Sequence, residues 1–420
     1  MPVTSPLAPA TAPSLSWYRA ATPQQRCALI AASLGWMLDS MDFMIYSMVL
    51  AYLMRDLGMT KPVAGLLSSI GQLAAAAGGL VFGVIADRFG RTRAMIGSIT
   101  IYSLFTALCG FSQTITQLAA LRVVVGFGLG GEFASGAALV SESWPAQHRG
   151  KALGVVHSSW AIGYGLAAAA TGLLLPRWGW RAVFFVGALP ALVTLWIRRS
   201  VEEPAIWREG RHHPVGALSG MARLFSPSLR RYTLAMTLLN AGALFAYWGF
   251  NSWNPAYLSL TAGEGGVGLS AGMMSTFVIV MQAGTWLGYI TFGISSDRFG
   301  RKKVFVTYLV AAAVLLLLYP TTRAPLALLA LGSGVGFFGT GCFAGFGAVV
   351  SELFPTPIRA VALAFTYNVG RVVSAVAPFT VGSLAEAKGF GIGFAILSGA
   401  LLFSASMWFF VPETRGSELT

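Results

Sequence analysis

The stretch that decides the fold is Gly83-Val-Ile-Ala-Asp-Arg-Phe-Gly-Arg91, because the chain repeats it as Gly293-Ile-Ser-Ser-Asp-Arg-Phe-Gly-Arg301. A second pair of motifs, Glu142-Ser-Trp-Pro145 and Glu352-Leu-Phe-Pro355, has the same separation. The offset is 210 residues in both cases (293 − 83 and 352 − 142). Two independent motifs with one offset predict a unit that is repeated in parallel and fills half of this 420-residue chain.

Long apolar stretches surround these motifs. The chain is 55% hydrophobic and only 10% charged, whereas soluble domains carry about 25% charged residues. Twelve stretches are close to the roughly 20 residues that cross a bilayer as a helix. They run over 27–54, 62–86, 94–112, 116–142, 150–174, 181–199, 232–259, 270–296, 304–321, 324–351, 359–387 and 390–411. Since lipid tolerates no unpaired backbone, we predict an all-α integral membrane protein with twelve transmembrane helices in two pseudo-symmetric six-helix bundles.

The pattern of spans also predicts the domain organisation. We expect an N-terminal tail, a first bundle, a polar and arginine-rich linker, a second bundle and a C-terminal tail. These correspond to residues 1–26, 27–199, 200–231, 232–411 and 412–420. The first residues contain no positive start and no apolar core, so they predict a tail rather than a signal peptide.

The net charge of +13 follows the topology. Most of the 28 lysine and arginine residues fall in the tails and in the connections that share their side of the membrane. The exceptions are Arg55, Lys61, Arg177, Arg181, Arg323 and Lys388 on the opposite side, with Arg122 and Arg371 inside helices. This asymmetry is the positive-inside rule and predicts an inner-membrane protein with both termini in the cytoplasm. It argues against a nucleic-acid partner, and the three cysteines show no disulfide or metal spacing.

The repeated motifs predict a gate on the cytoplasmic side. An Asp at a helix end can pair with a nearby Arg and with the positive N-terminus of a neighbouring helix. Pairs that form on only one face of the membrane can favour the outward-open state, and they must break for the protein to switch. The alternative is a solvated turn that only sets topology. The predicted gate residues are Gly83, Asp87, Arg88, Gly90, Arg91, Glu142 and Arg149, with Gly293, Asp297, Arg298, Gly300, Arg301, Glu352 and Arg359.

Two carboxylates lie in the middle of predicted helix 1. Asp39 and Asp42 are three residues apart, so they share one helix face. Two carboxylates in a poorly hydrated site cannot both stay ionised, which predicts a proton-coupling role. At the repeat offset the second half has Gly249 and Ser252, so the acids do not belong to the shared scaffold. The alternative is a structural pair satisfied by hydroxyl and backbone groups.

Predicted helix 4 adds two charges, and charge inside a spanning helix is by default a functional hypothesis. Arg122 is followed by a glycine-rich stretch that ends at Glu132. We expect the glycines to allow close approach to a neighbour, helix 1 by preference. Arg122 would then respond to the acids or hold an anion. Glu132 is predicted to act in an ion pair or as a proton relay, with a purely structural role as the alternative.

The predicted substrate contacts are centred on helix 11, where Arg371 follows Tyr367 and Asn368. An arginine can hold a carboxylate through two parallel hydrogen bonds; pairing with a helix 12 carbonyl or a buried acid is the alternative. Tyr46 on helix 1 and Asn251 on helix 7 complete the predicted set. His157 is interpreted as a packed polar residue.

These residues resemble known families. The repeated loop is the signature of the major facilitator superfamily, which implies the major facilitator fold. Asp39-Ser-Met-Asp42, Gly131-Glu132 and Trp178-Gly-Trp-Arg181 resemble the sialic acid–proton symporter family, which includes lactate and pyruvate permeases. Asn368-Val-Gly-Arg371 is similar to niacin and aromatic-acid carriers. The resemblance implies symport of a small carboxylic acid with protons. Helix 7 lacks the polar residues of the lactate permeases.

We therefore predict a monomeric carrier in the lipid bilayer that imports a small carboxylate by alternating access, with the proton as coupling ion and no cofactor or metal. One alternative is a proton-linked exporter, although helix 5 lacks the Gly-Pro-x-x-Gly-Gly signature typical of such antiporters. A transporter-like solute sensor is the other, although both tails are short. No nucleophile–base or metal constellation indicates an enzyme.

Overall fold

A computed structural model describes residues 16–203 and 217–415. Within these ranges, eleven helical segments are long and apolar enough to cross a membrane. The longest, Lys151–Ser200, has 50 residues, which at 1.5 Å per residue is about 75 Å and more than twice the thickness of the hydrocarbon core. It reverses at Gly179, whose φ of 73° is not helical. This segment therefore contains two crossings, and the predicted twelve-helix all-α architecture is confirmed.

The first bundle contains six labelled helices, preceded by a short helix over Ser16–Arg19. They are α1 (Pro23–Leu57), α2 (Lys61–Phe89), α3 (Arg91–Cys109), α4 (Ile115–Ser143), α5 (Ala146–Val186) and α6 (Pro190–Ser200). The end of α5 beyond Gly179 and α6 together form the sixth crossing. α1 begins inside the stretch predicted as tail because Thr22 and Gln25 form a capping box around Pro23.

The second bundle follows a short helix over Ala217–Leu224 in the predicted linker. Its helices are α7 (Arg230–Ser259), α8 (Ala271–Phe299), α9 (Arg301–Leu318), α10 (Pro325–Gly341 and Phe343–Leu353), α11 (Thr356–Ser374 and Ala377–Lys388) and α12 (Phe390–Ser406). Single 3-10 turns occupy Ala262–Glu264, Tyr319–Thr321 and Met407–Phe409. Residues 1–15, 204–216 and 416–420 of the predicted tails and linker lie outside the described residues.

The glycines between Arg122 and Glu132 contact α2, except Gly128, which contacts α3; this corrects the expected neighbour, helix 1. A Cβ at Gly126 would lie 2.2 Å from the Gly71 carbonyl oxygen, and one at Gly130 would lie 1.9 Å from the Ala75 carbonyl oxygen. Only glycine permits this backbone approach, as is usual for membrane helix pairs. The sequence could not choose the neighbour because every adjacent helix is equally apolar.

The two bundles contact each other at one face of the molecule. We call the face that holds the starts of α1 and α7 the tail face, and the opposite face the distal face. Near the distal face, α2 packs on α11, where a Cβ at Gly65 would lie 2.4 Å from the Pro378 carbonyl oxygen. α5 packs on α8, where Gly172 contacts Ser275. These contacts close the space between the bundles on the distal side.

Two ion pairs join the bundles across the same face. Arg55 at the end of α1 lies 2.9 Å from Glu264, and Lys61 at the start of α2 lies 3.3 Å from Glu386. Arg55 donates to Glu264, which holds the pKa of that carboxyl down at about 2. The distal face is thus closed by apolar packing with ion pairs at its rim.

Candidate functional site

A cavity of about 470 Å³ lies between the bundles. Its walls come from α1, α2, α4 and α5 of the first bundle and from α7, α8, α10 and α11 of the second. The lining extends to Leu80, His157 and Leu363, which lie in the tail-face parts of α2, α5 and α11. The cavity therefore extends from the closed distal side towards the tail face.

The polar part of the cavity brings one acid and one base together from different bundles. Asp39 of α1 and Arg371 of α11 both line it and interact electrostatically. Tyr367 and Asn368 lie one turn before Arg371 and line the same space. Asn368 donates its amide to the Ala364 carbonyl at 2.8 Å, which orients its side chain along α11. The cavity therefore offers a cation and an amide opposite a carboxylate.

An aromatic wall, made of Trp36, Phe43, Trp160, Tyr247 and Trp248, borders these polar groups. The rings of Trp36 and Trp160 are 4.9 Å apart between centroids, and those of Phe43 and Trp248 are 4.6 Å apart. Trp160 donates its indole N–H to the Tyr247 hydroxyl at 2.6 Å, which joins the two bundles. Such a surface suits a flat apolar group rather than a heavily hydroxylated one.

A second polar group lies behind α1, on the side away from the cavity. Asp42, Arg122 and Glu132 are buried, with at most 2% of each residue exposed. The Arg122 guanidinium lies 4.6 Å from the centroid of the Tyr46 ring, a cation–π distance. Asp42 lies within electrostatic reach of Arg122. A Cβ at Gly35 would lie 2.2 Å from Glu132 Oε1, so α1 and α4 meet around this carboxylate.

The predicted site residues therefore fall into three groups. Asp39, Arg371, Tyr367 and Asn368 share the cavity, while Asp42, Arg122, Glu132 and Tyr46 form the layer behind α1. Tyr46 donates its hydroxyl to the Ala64 carbonyl at 3.0 Å. Asn251 does not line the cavity but lies in the contact between the two bundles. Its side-chain amide donates to the Tyr247 backbone carbonyl, and its backbone carbonyl accepts from the Tyr164 hydroxyl.

The aromatic wall was not predicted from the sequence. None of its five residues was among the predicted site residues. Spacing offered a signal, since Trp36, Asp39 and Phe43 follow an i, i+3, i+7 pattern that places them on one helix face. His157 and Trp160 show the same i, i+3 relation.

The repeated motifs form matching ion-pair clusters at the tail face. Arg91 of α3 donates to Glu142 of α4 at 2.8 Å and also contacts Asp87 of α2. In the second bundle, Arg301 of α9 donates to Glu352 of α10 at 3.1 Å and also contacts Asp297 of α8. Both clusters stay within their own bundle.

The remaining predicted gate residues take less part in these clusters. Arg88 and Arg298 are exposed, and Gly83 and Gly293 have open space where a side chain would project. Gly90 and Gly300 have φ of 111° and 103°, a backbone conformation that favours glycine. Arg359 is half-buried on α11, and the Arg149 side chain lies outside the described residues.

Two further acids complete the clusters and were missed from the sequence. Glu203 accepts from the Thr92 backbone N–H at 3.1 Å, at the start of α3. Glu413 accepts from the Arg301 backbone N–H at 2.8 Å, at the start of α9. An acid at a helix N-terminus is stabilised by the helix dipole. The offset of 210 (413 − 203) is a signal that could have identified both.

Two helical bundles that surround one central cavity, closed on one face and bordered by matched ion-pair clusters on the other, define a membrane carrier for small solutes. The family model of the Major Facilitator Superfamily matches residues 32–291 and 266–420, and the chain belongs to this family. Membership confirms the predicted fold and the prediction of a transport protein rather than an enzyme.

Relatives from the curated proteins agree with this assignment. The chain is 34% identical to the "Probable 4-methylmuconolactone transporter" of Cupriavidus pinatubonensis, over 96% of this chain and 94% of that one. It is 31% identical to the sialic acid transporter NanX of Escherichia coli, over 93% and 94% of the two chains. It is 29% identical to the niacin transporter NiaP of Acinetobacter baylyi, over 93% and 94%. The predicted resemblance to sialic acid and niacin carriers is confirmed.

Solved structures share the fold. A crystal structure of a D-xylose–proton symporter matches with a TM-score of 0.79 at 18% sequence identity. The match covers 94% of this chain and all of that one.

Proposed function

We propose that this protein imports a small, flat, unsaturated carboxylate together with at least one proton, by alternating access. The observation that carries the proposal is the meeting of Asp39 and Arg371 in one cavity beside the aromatic wall. Arg371 is suited to bind the carboxylate, Asp39 to carry the proton, and the aromatic wall to stack against the planar part of the solute.

Charge placement supports the orientation of the protein in the membrane that import requires. The tail face carries most of the lysine and arginine residues, so the positive-inside rule makes it the cytoplasmic face of the inner membrane. The state described here, with its cavity towards the tail face, is then the state that releases solute into the cytoplasm. The ion pairs at the distal face would open to admit solute from outside.

Coupling is explained by competition for Arg371. Without solute, Asp39 lies within electrostatic range of Arg371. A bound solute carboxylate takes over Arg371, so Asp39 loses its cation and is expected to take up a proton. The proton offsets the negative charge of the solute, so binding of both adds no net charge to the cavity, and a net charge inside the membrane is costly to enclose.

The shape of the solute is proposed from the cavity and from the relatives. A volume of about 470 Å³ lies in the range usual for small-molecule sites. Sialic acid, niacin and 4-methylmuconolactone, as named for the relatives, all carry a carboxyl group. Niacin and the lactone also carry flat unsaturated rings, which match the aromatic wall better than a polyhydroxylated sugar acid does.

The test is alkalinisation of the medium around lightly buffered, de-energised cells that express the protein. Nicotinate, benzoate, cis,cis-muconate, sialic acid and lactate are added one at a time, with Asp39→Asn and Arg371→Ala as control variants. We expect a pH rise with one or more of the flat carboxylates that is absent in both variants. Acidification of the medium would indicate proton-linked export instead. No pH change with any acid, combined with uptake of a neutral or cationic compound, would contradict the carboxylate assignment.

A further inference from the structure

Tyr102 of α3 lies at the centre of the polar layer behind α1. It is fully buried, and its hydroxyl has no hydrogen-bond partner among the residues that the structure describes. Asp42, Asp39 and Glu132 all lie within electrostatic range of its phenol. A Cβ at Gly128 of α4 would lie 2.8 Å from the Tyr102 backbone nitrogen, so the α3–α4 contact holds the tyrosine in place.

The charged and titratable groups around this layer come from α1, α3, α4 and α11, and they include Tyr46 of α1, whose ring lies close to Arg122. α1 contributes Asp39 and Asp42, and α4 contributes Arg122 and Glu132. Cys109 of α3 lies near Arg122 and Asp42, and Arg371 of α11 reaches Asp39 from the cavity side. Asp39 is the member that also lines the cavity, so the layer and the cavity meet at this carboxylate.

Several polar atoms of the layer depend on something other than protein. Both Glu132 carboxylate oxygens and one Asp39 oxygen, like the Tyr102 hydroxyl, have no hydrogen-bond partner in the described parts of the chain. Buried polar atoms are rarely left unsatisfied, and clusters of them hold ordered water. A hydroxyl between carboxylates can donate and accept at once, so this arrangement suits proton passage better than structural support.

The positions of Asp39 and Glu132 give the proposed proton path a direction across the membrane. Gly35, which contacts Glu132, precedes Asp39 by one helical turn and lies nearer the start of α1 at the tail face. A proton that moves from Asp39 to Glu132 therefore moves towards the tail face while it stays outside the cavity. Because of this, solute and proton need not pass each other in the same space.

We propose that Tyr102 relays the coupled proton between Asp39 and Glu132, through the polar layer enclosed by α1, α3 and α4. In this step an O–H bond breaks at the Asp39 carboxyl and one forms at the Glu132 carboxylate. Tyr102 accepts one proton and gives up its own, so its hydroxyl is unchanged. The inference rests on the proposed proton symport and adds a route to it.

The experiment compares two modes of transport in proteoliposomes that contain Tyr102→Phe or the wild type. Net uptake driven by a proton gradient requires the relay, whereas counterflow exchange of labelled for unlabelled solute at equal pH does not. Benzoate and nicotinate serve as probes. We expect net uptake to fall at least tenfold in Tyr102→Phe, while counterflow stays within twofold of the wild type. Retained counterflow also shows that the variant is folded.

Tyr308→Phe is the matched control, because Tyr308 is a buried tyrosine of α9 whose hydroxyl contacts Thr291 rather than an acid. It is expected to change neither mode. Equal loss of both modes in Tyr102→Phe, or no loss in either, would overturn the relay. A wild type that moves its solute without protons would overturn the proposed symport and the relay together, whereas tight coupling in Tyr102→Phe would overturn the relay alone.

Discussion

The two bundles have the same scaffold but different interiors. Arg91 and Arg301 make equivalent ion pairs at equivalent helix starts, and Glu203 and Glu413 accept from the backbone at those starts. The charged interior positions of the first bundle have no charged counterpart in the second. At the places of Asp39, Asp42, Arg122 and Glu132, the second bundle has Gly249, Ser252, Gly332 and Cys342.

This difference indicates which parts both halves need and which parts one half provides. Alternating access requires both bundles to move, so the ion-pair clusters that hold the helix ends together are present twice. The proposed proton chemistry is confined to the first bundle, and the proposed carboxylate-binding Arg371 belongs to the second, where its counterpart in the first is Ala161. Coupling would then depend on how the bundles face each other.

The largest expected effect is from Asp39→Asn, which removes the acid that both lines the cavity and faces Arg371. We expect proton-driven uptake to fall by about a hundredfold or more, as is typical when a proton-transferring group is lost, while counterflow persists. Asp42→Asn is the comparison, and its effect is expected to be smaller because Asp42 does not line the cavity. The reverse order would assign the coupled proton to Asp42.

Next is Arg371→Ala, which tests whether the second bundle binds the carboxylate. Loss of a charge-assisted pair is expected to raise the solute Kd about 30-fold, equivalent to roughly 2 kcal/mol. Arg371→Lys keeps the charge but loses the two parallel hydrogen bonds, so its solute Kd is expected to lie between those of the wild type and Arg371→Ala. Binding of labelled solute to purified protein measures both. An unchanged Kd in Arg371→Ala would place the carboxylate elsewhere.

Trp248→Leu tests the aromatic wall. A stacked aromatic contact is worth about 0.5–1.5 kcal/mol, so the Kd for benzoate is expected to rise by about three- to tenfold. The Kd for an aliphatic acid of similar size is expected to stay nearly constant. Equal weakening of both solutes would mean that Trp248 only shapes the cavity.

A pair of matched variants, Arg91→Ala and Arg301→Ala, tests the equivalence of the scaffolds. Each removes the centre of a partly exposed ion-pair cluster. We expect the maximal uptake rate to fall by a similar factor in both, about fivefold or roughly 1 kcal/mol, without a change in solute Kd. A strong effect in only one bundle would show that the clusters are not functionally equivalent.

The smallest effect is expected from Glu264→Gln at the distal face, since Arg55 and Glu264 are both substantially exposed. Hydrogen bonding from Arg55 lowers the Glu264 pKa to about 2. A lowered pKa means that the pair is fully present above the usual glutamate pKa and is lost only as the pH falls through about 2. The ratio of wild-type to Glu264→Gln uptake should therefore be constant between pH 5 and pH 8. A ratio that changes with pH in this window would contradict the ion pair between Arg55 and an ionised Glu264.

The duplicated fold could be predicted because it depends on local properties. Helix length, apolar composition and the offset of 210 are all present in the linear chain, and they led to twelve crossings in two bundles. The predicted charges on helices 1, 4 and 11 were also local observations, since a charge inside an apolar span is conspicuous wherever its helix lies. Which helices pack against each other does not depend on local sequence. The expected contact between the α4 glycines and helix 1 was wrong for that reason.

The sequence by itself determined the class, the repeat and the set of unusual polar residues, because a bilayer restricts which residues can lie in a spanning helix. Only the tertiary structure decided that Asp39 lines a cavity while Asp42 and Glu132 lie behind α1. It also placed Asn251 in the contact between the two bundles. The physical reason is helix rotation: a turn of about 100° per residue moves a side chain between lipid, neighbour and cavity. Packing between bundles sets that rotation, and no single helix contains the information.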